Sequence, residues 1–199
     1  MSWDERYSTA EYVYGTEPNG FLVEHAGLLR GPVLSLAEGE GRNGVFLAGQ
    51  GLTVHGVDSS AVGLAKAQAL AAARGVSLHV EQADLAEFVP ACAAYGAVVS
   101  IFAHVPGAVR TRLYPLLVDC LQPGGLLLLE AYSLAQLPRT TGGPKDPDLL
   151  MSVDAIRCGF AGLEPVLLQE LTREVHEGRL HTGLASVVQF IGRKPCWIS

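Results

Sequence analysis

The stretch Val33-Leu34-Ser35-Leu36-Ala37-Glu38-Gly39-Glu40-Gly41-Arg42-Asn43-Gly44-Val45-Phe46-Leu47-Ala48 decides the fold of this chain. An apolar run enters a glycine-rich turn, and the turn opens a segment of helical character. Asp58 closes the next apolar run, 19 residues after Gly39. A strand–turn–helix unit of this kind aims backbone N–H groups at a ligand, and an acidic residue at the next strand tip accepts from a ribose diol. Gly39, Gly41 and Gly44 also fit the GxGxxG spacing, which is a weak signal by itself.

Further apolar runs at Val33–Ala37, Leu52–Val57, Ala97–Phe102 and Leu126–Glu130 are continuous rather than alternating, so they read as strands covered on both faces. Ser59 to Gly75 carries serine caps, an alanine-rich body, Arg74 in its last turn and a glycine just past its end, all helix signals. A weaker strand follows at Val76–Gln82, and a second helix is expected at Ala108–Leu121, before the turn Gln122-Pro123-Gly124-Gly125. This alternation predicts an α/β fold with a doubly wound parallel sheet. Loop residues at 142–147 precede Leu149, Leu150, Val153, Ile156 and Phe160 at helical spacing. Val166–Val175 and Leu184–Ile191 then read as a hairpin across His176-Glu177-Gly178-Arg179. Residues 1–30, with Trp3, Tyr7, Tyr12, Tyr14 and Phe21, read as a cover segment on a single domain spanning 1–199.

With 199 residues, 49% of them hydrophobic, one core suffices for folding. A net charge of −6 without any basic run speaks against nucleic acid as a partner. Cys92, Cys120, Cys158 and Cys196 form no CxxC pair and have no histidine at ligand spacing, so reduced thiols in the cytoplasm and no metal are expected. Asp4 and Glu5 stand where a secretion signal carries basic charge. The region Leu85–Val109 is broken by Glu87, Pro90, Gly96, His104 and Pro106, so no membrane span is expected. HExxH, nucleophile-elbow and P-loop patterns are absent.

Two ligands suit a glycine turn followed by a ribose-binding aspartate. A dinucleotide would set a pyrophosphate against Glu38 and Glu40, whereas S-adenosylmethionine brings a cationic sulfonium and α-amino group. Charge therefore favours the methyl donor. At this point the chain resembles the class I S-adenosylmethionine-dependent methyltransferases, and within them the small branch similar to the tellurite-resistance and thiopurine methyltransferases. The resemblance rests on Leu36 to Asn43, Val57-Asp58, Gln82-Ala83-Asp84-Leu85, Val98 to Phe102 and Leu121-Gln122-Pro123-Gly124-Gly125, with Trp3 to Tyr7 and Tyr14 to Asn19 at the opening.

The resemblance implies a Rossmann-like sheet of seven strands, mostly parallel with a C-terminal antiparallel hairpin, and S-adenosyl-L-methionine as cofactor, released as S-adenosyl-L-homocysteine. It implies that Ala37, Glu38, Gly39 and Gly41 line the methionyl end, with Arg42 and Asn43 opening the helix. Asp58 would take the ribose hydroxyls, Ser59 the adenine edge, Asp84 and Leu85 the adenine ring, and Ser100 the fourth strand tip. Ser35 replaces the family's usual acid and Ala37 its usual glycine, so Glu38 or a water would organise the methionyl amino group; Gly96 also stands where an aspartate is usual.

Methyl transfer from a sulfonium is an in-line displacement, which asks the protein for alignment and exclusion of water. His104 is the candidate base, the plainer alternative being a histidine bonded to loop backbone. The resemblance implies that Tyr7 and Tyr14 stack on the cofactor or lie against its sulfonium, which an aromatic face stabilises by cation–π attraction, while Tyr12 equally suits packing. Lys145 and Asp146 read as a solvated turn, and His176 and His181 as surface residues. The Asn/Asp-Pro-Pro-aromatic signature of amino-group methyltransferases is absent, so the expected acceptor is a small, neutral or weakly charged molecule with a soft or oxygen nucleophile. The alternatives are an NAD(P)-dependent oxidoreductase, or a regulator that binds S-adenosylmethionine without transferring its methyl. Nothing in the sequence sets the oligomeric state.

Overall fold

The computed structural model describes residues 2–178 and 181–196. Strands β1 (Val33–Leu36), β2 (Val54–Asp58), β3 (His79–Gln82), β4 (Tyr95–Ile101), β5 (Leu121–Tyr132), β6 (Glu164–Glu177) and β7 (His181–Arg193) form one sheet in the order β3-β2-β1-β4-β5-β7-β6. Strands β1 to β5 pair in parallel, and β7 runs antiparallel to both β5 and β6. The doubly wound, Rossmann-like sheet of seven strands with its C-terminal hairpin is the architecture expected. The hairpin turn falls later than expected, since β6 continues through Glu177; Arg179 lies outside the described residues.

Helices α1 (Trp3–Tyr7), α2 (Gly20–His25), α3 (Arg42–Gly49), α4 (Ala61–Ala73), α5 (Gly107–Cys120) and α6 (Val153–Gly159) cover the sheet. The α4 start is fixed by Ser60, whose hydroxyl accepts from the Gly63 N–H at 2.9 Å. Because strand side chains alternate between faces, β1 sends Leu34 and Leu36 into a core with Leu113, Leu117, Ile156 and Phe160 of α5 and α6. Val33 enters the opposite core with Val45, Leu47 and Leu70 of α3 and α4. Each fully buried side chain of this kind contributes about 1.5–3 kcal/mol. Gln122 to Gly125, expected as a turn, instead bulges within β5. Pairing there jumps from Tyr95↔Leu121 to Ala97↔Leu126, as suits Pro123, which lacks an N–H, and Gly124 at φ +77.

Strand order reverses between β1 and β4, which opens a crevice at their C-terminal ends. Both tips are held in the left-handed region by residues that are not glycine: Ala37 at φ +49 and Phe102 at φ +51. Ala37 thus adopts the conformation for which the related pattern uses glycine.

A buried charge cluster ties the outer parts of the fold to this crevice. Glu130 of β5, fully buried, receives the Arg173 guanidinium on both oxygens, Asn19 Nδ2 at 2.6 Å and Gln189 Nε2 at 2.7 Å. Glu177 of β6 accepts from Arg42 Nη2 at 2.6 Å and from Asn19 Nδ2 at 2.7 Å. Two carboxylates and two guanidiniums balance, which is the condition for burying such charges.

Replacing Arg173 with Met leaves Glu130 and Glu177 short of one cation, so urea unfolding should show a loss of about 3–5 kcal/mol; a loss below about 1 kcal/mol would mean that solvent screens the cluster. Ala37→Gly should raise stability by about 0.5–1 kcal/mol through relief of left-handed strain, read as a melting shift of about 2–4 °C.

Candidate active site

The crevice is a groove of about 970 Å³ whose floor is the turn after β1 and whose roof is α1 with the chain to Gly15. It runs from Asp58, Ser59, Asp84 and Leu85 at one end to His104, the 142–144 loop and His181 at the other.

Gly41, at φ +95, begins α3, and a Cβ there would stand 2.7 Å from Ala67, so the glycine lets the turn rest on α4. Asp58 Oδ2 accepts from the Gly39 N–H and Oδ1 from the Ser60 N–H, both at 2.8 Å. Each oxygen keeps a free lone pair for a ligand hydroxyl. Burial raises this carboxyl's pKa against the opposing pull of those N–H groups.

The two loop glutamates do not present charge to the groove as expected from the sequence. Glu38 points inward beneath the turn, into space left by the missing side chains of Gly44 and Gly56. Its Oε1 accepts from the Gly44 N–H at 2.8 Å while Oε2 has no partner, and burial pushes its pKa up to about 7. Glu40 is taken up by the cover segment: it accepts from the Val13 N–H at 2.7 Å and forms an ion pair with Lys66. The charge argument for the methyl donor therefore loses its basis in Glu40, whose charge is neutralised within the fold.

Lys66 also donates to the carbonyls of Thr9 at 3.0 Å and Glu11 at 2.7 Å, and Asp4 accepts from the Ser60 hydroxyl, which together close the cover over α4. Tyr12 packs there, donating to the Lys66 carbonyl at 3.1 Å beneath the Lys66 ammonium. Tyr7 and Tyr14 line the groove with ring centroids 6.3 Å apart, and Tyr14 Oη accepts from Arg6 at 3.0 Å. Burial, reinforced by the Asp58 charge, raises the Tyr7 phenol pKa, so its hydroxyl stays protonated.

Ala37, Glu38, Gly39, Arg42, Asn43, Asp58, Ser59, Asp84, Leu85 and His104 all line the groove with Tyr7 and Tyr14. Gly41 and Ser100 do not: Gly41 faces α4, and Ser100 is buried within β4. Asn43 Oδ1 accepts from the Asn19 N–H at 3.0 Å, and Asp84 Oδ1 from the Ala86 N–H at 2.8 Å. Lys145 and Asp146 are exposed, as expected of a solvated turn.

At the far end an aromatic cluster forms. The rings of Phe102 and Tyr132 lie 4.6 Å apart, those of His104 and Tyr132 stack at 5.5 Å, and His181 meets Tyr14 at 4.6 Å and Phe102 at 5.0 Å. His104 Nδ1 lies 3.1 Å from the Leu149 carbonyl. A carbonyl only accepts, so the proton sits on Nδ1, and Nε2, buried and without a partner, presents a lone pair. Burial holds the His104 pKa down at about 4. His181, read from the sequence as a surface residue, is only 9% exposed and lines the groove, while His176 is exposed. Period-two spacing with Ala185 and Val187 would have put His181 on the inward face of β7.

Residues 33–125 match the model of a methyltransferase domain. A structure from work on the conversion of a disulfide bond into a thioacetal group during echinomycin biosynthesis shares the fold at a TM-score of 0.80 and 23% identity, over 99% of this chain and 92% of that one. TehB from Haemophilus influenzae follows at 0.71 and 17%, over 96% of this chain and 65% of TehB. The N-methyltransferase NodS from Bradyrhizobium japonicum WM9 is similar at 0.67 and 14%, over 96% and 95%. No curated protein matches the chain by sequence. Residues 33–125, with the glycine turn, Asp58 and Asp84, match the model of a methyltransferase domain, and the chain shares the fold of these solved structures.

Proposed function

We propose that this methyltransferase holds S-adenosylmethionine along the β1 turn, with its ribose on Asp58, and passes the methyl group to a small-molecule acceptor seated against His104. The observation that carries the reading is that one groove joins Asp58 to an unpartnered imidazole nitrogen. The residues present fit the cofactor. Asp58 has a free lone pair on each oxygen for the two ribose hydroxyls, Ser59, Asp84 and Leu85 line the space beyond it for adenine, and Tyr7 and Tyr14 flank the middle. Glu38, which accepts from the Gly44 N–H beneath the turn, would brace the turn that carries the methionyl end. Residues 1–30 act as the cover of one catalytic unit spanning the chain.

When bound, the cofactor supplies an electrophilic methyl: the acceptor's lone pair bonds to carbon as the carbon–sulfur bond breaks, its electron pair going to sulfur. The protein's share is to align the acceptor, exclude water and receive a proton. Methylation turns an S–H or O–H group into a strongly acidic onium, so an imidazole with a pKa of about 4 is base enough to take the proton on Nε2. A binder without transferase activity would have its acceptor end filled, whereas here the groove stays open to His104 and His181. The exposed thiols of Cys92, Cys158 and Cys196 suit the reducing cytoplasm. Among the described residues no helix is long and apolar enough to cross a membrane.

Calorimetric titration should show saturable binding of S-adenosylmethionine and S-adenosylhomocysteine, weakened at least about 10-fold by Asp58→Ala, a change of about 1.4 kcal/mol; binding of NAD alone would overturn the reading. With the best acceptor from a panel of thiols, selenols and alcohols, His104→Phe should lower kcat by about 10²–10⁴-fold and leave cofactor affinity in place. The Glu38 carboxyl gains a proton affinity on folding, so its stabilising contribution is full below its ordinary pKa of 4.5 and fades as pH rises through about 7. Glu38→Gln should therefore compare more favourably with the parent at pH 8 than at pH 5 in urea unfolding.

A further inference from the structure

Among the described residues that line the groove, three polar atoms at the acceptor end are buried and have no partner, His104 Nε2, His181 Nδ1 and Arg42 Nη1, and the Tyr132 hydroxyl behind them, outside the groove lining, is also unpartnered. The three lining atoms come from three separate elements, the tip beyond β4, the start of β7 and the start of α3, and all three side chains line one groove. An unmatched buried polar group costs about 1–3 kcal/mol, so three around one space describe a site shaped for a polar ligand.

We propose that His181 and Arg42 form the acceptor-reading wall opposite His104, and that this wall admits a thiol or hydroxyl acceptor and rejects an amine. The inference rests on the methyltransferase reading and names the residues that choose the acceptor.

Valence decides the choice. His104 Nε2 can only accept, because its tautomer is set by the Leu149 carbonyl, and Arg42 Nη1 can only donate. An S–H or O–H group gives its hydrogen to His104, takes the Arg42 hydrogen on one lone pair and keeps another for the methyl carbon. Once the proton has moved to His104, the further lone pair falls to His181. A neutral amine has a single lone pair, which the methyl needs, so Arg42 stays unmatched; an ammonium has none.

Charge points the same way. The positive charges of Arg42 and Arg6 act on His181, and that of Arg110 on His104, each disfavouring a protonated imidazole. The nearby carboxylates already have partners. Glu177, opposite His181 in the hairpin register, binds Arg42 and Asn19, and Asp148 pairs with Arg110 at 3.7 Å and accepts from the Gly107 N–H. Tyr14, Phe102 and Tyr132 complete the walls around His181 at 4.6, 5.0 and 5.4 Å and hold its ring in place. Among the described residues, these carboxylates are therefore already engaged by guanidinium or amide partners, and an amine head would find none of them free to pair with it. Burial among these groups lowers the His181 pKa to about 3, so the imidazole is neutral at physiological pH.

The test uses the whole protein, labelled with ¹⁵N-histidine and loaded with S-adenosylhomocysteine, and three matched probes: benzyl mercaptan, benzyl alcohol and benzylamine. The mercaptan or the alcohol should shift the imidazole resonances of both His181 and His104, and benzylamine should shift neither. In turnover with S-adenosylmethionine, His181→Gln should raise the KM of the accepted probe at least 10-fold while cofactor affinity changes less than 2-fold, and Arg42→Lys should narrow the preference over benzylamine. Methylation of benzylamine at the rate of the mercaptan would overturn the proposal. So would a failure of every probe to move either imidazole in protein that binds S-adenosylhomocysteine. Failure to bind S-adenosylhomocysteine at all would overturn the methyltransferase reading, and this one with it.

Discussion

The Asn19 side-chain amide is the link on which the site depends. Its Nδ2 gives one hydrogen to Glu130 and the other to Glu177, while its Oδ1 caps α2 by accepting from the Leu22 N–H. One neutral residue thereby joins the cover segment, the central sheet and the terminal hairpin, and Arg42 adds the first helix after the glycine turn. Charges buried this deeply interact strongly, and removing any partner exposes the rest to an unpaid desolvation cost. The groove wall is consequently placed by a charge-balanced core cluster and not by the preferences of a surface loop. Arg42 belongs to both: one nitrogen completes the cluster and another faces the groove.

Backbone strain is gathered at the same place. Ala37 and Phe102 occupy the tips of β1 and β4, the neighbouring strands between which the sheet reverses its winding, and both have positive φ. Such a conformation costs of order 1–3 kcal/mol per residue and persists only where packing imposes it. Phe102 is imposed upon by its ring, which is held by Tyr132 and His181, and by its N–H, which donates to the Glu130 carbonyl at 2.8 Å. The bend sends the chain away from β4 and sets His104 across the groove from the cofactor turn.

What the sequence could reveal follows from how locally each feature is encoded. The apolar runs, Ser60, Gly75 and the glycine turn act within a few residues, and they placed the strands, α4 and the β1 turn. The places of Asp58 and His104 beside the groove follow from the buried runs that each ends or follows, whereas Asp84 follows the largely exposed β3. Glu40 was misread because its partners, Val13 and Lys66, lie 27 and 26 residues away on other elements, and no local pattern shows that its charge is spent inside the fold. The clues to the cluster were present but weak: Glu130 ends a run of four leucines in a strand covered on both faces, where a charge needs a buried partner. His181 was missed because it was judged by its nearness to a turn, when its alternation with Ala185 and Val187 was the better guide.

The two ends of the groove differ in a way that matters for charge transfer. Near the turn the buried carboxylate of Asp58 lines the groove, while Glu38 lies beneath the turn. At the far end the histidines are neutral, the carboxylates are paired, and the remaining polarity is that of guanidinium groups. In the proposed reaction the first end would suit a cationic methyl donor through Asp58, and the far end a neutral acceptor whose proton His104 could receive. The rings of Tyr7 and Tyr14 lie between the two, where an aromatic face would stabilise positive charge without competing for a methyl group. These groups are fixed by buried contacts before any ligand arrives, so the proposed transfer would need little reorganisation as charge moves.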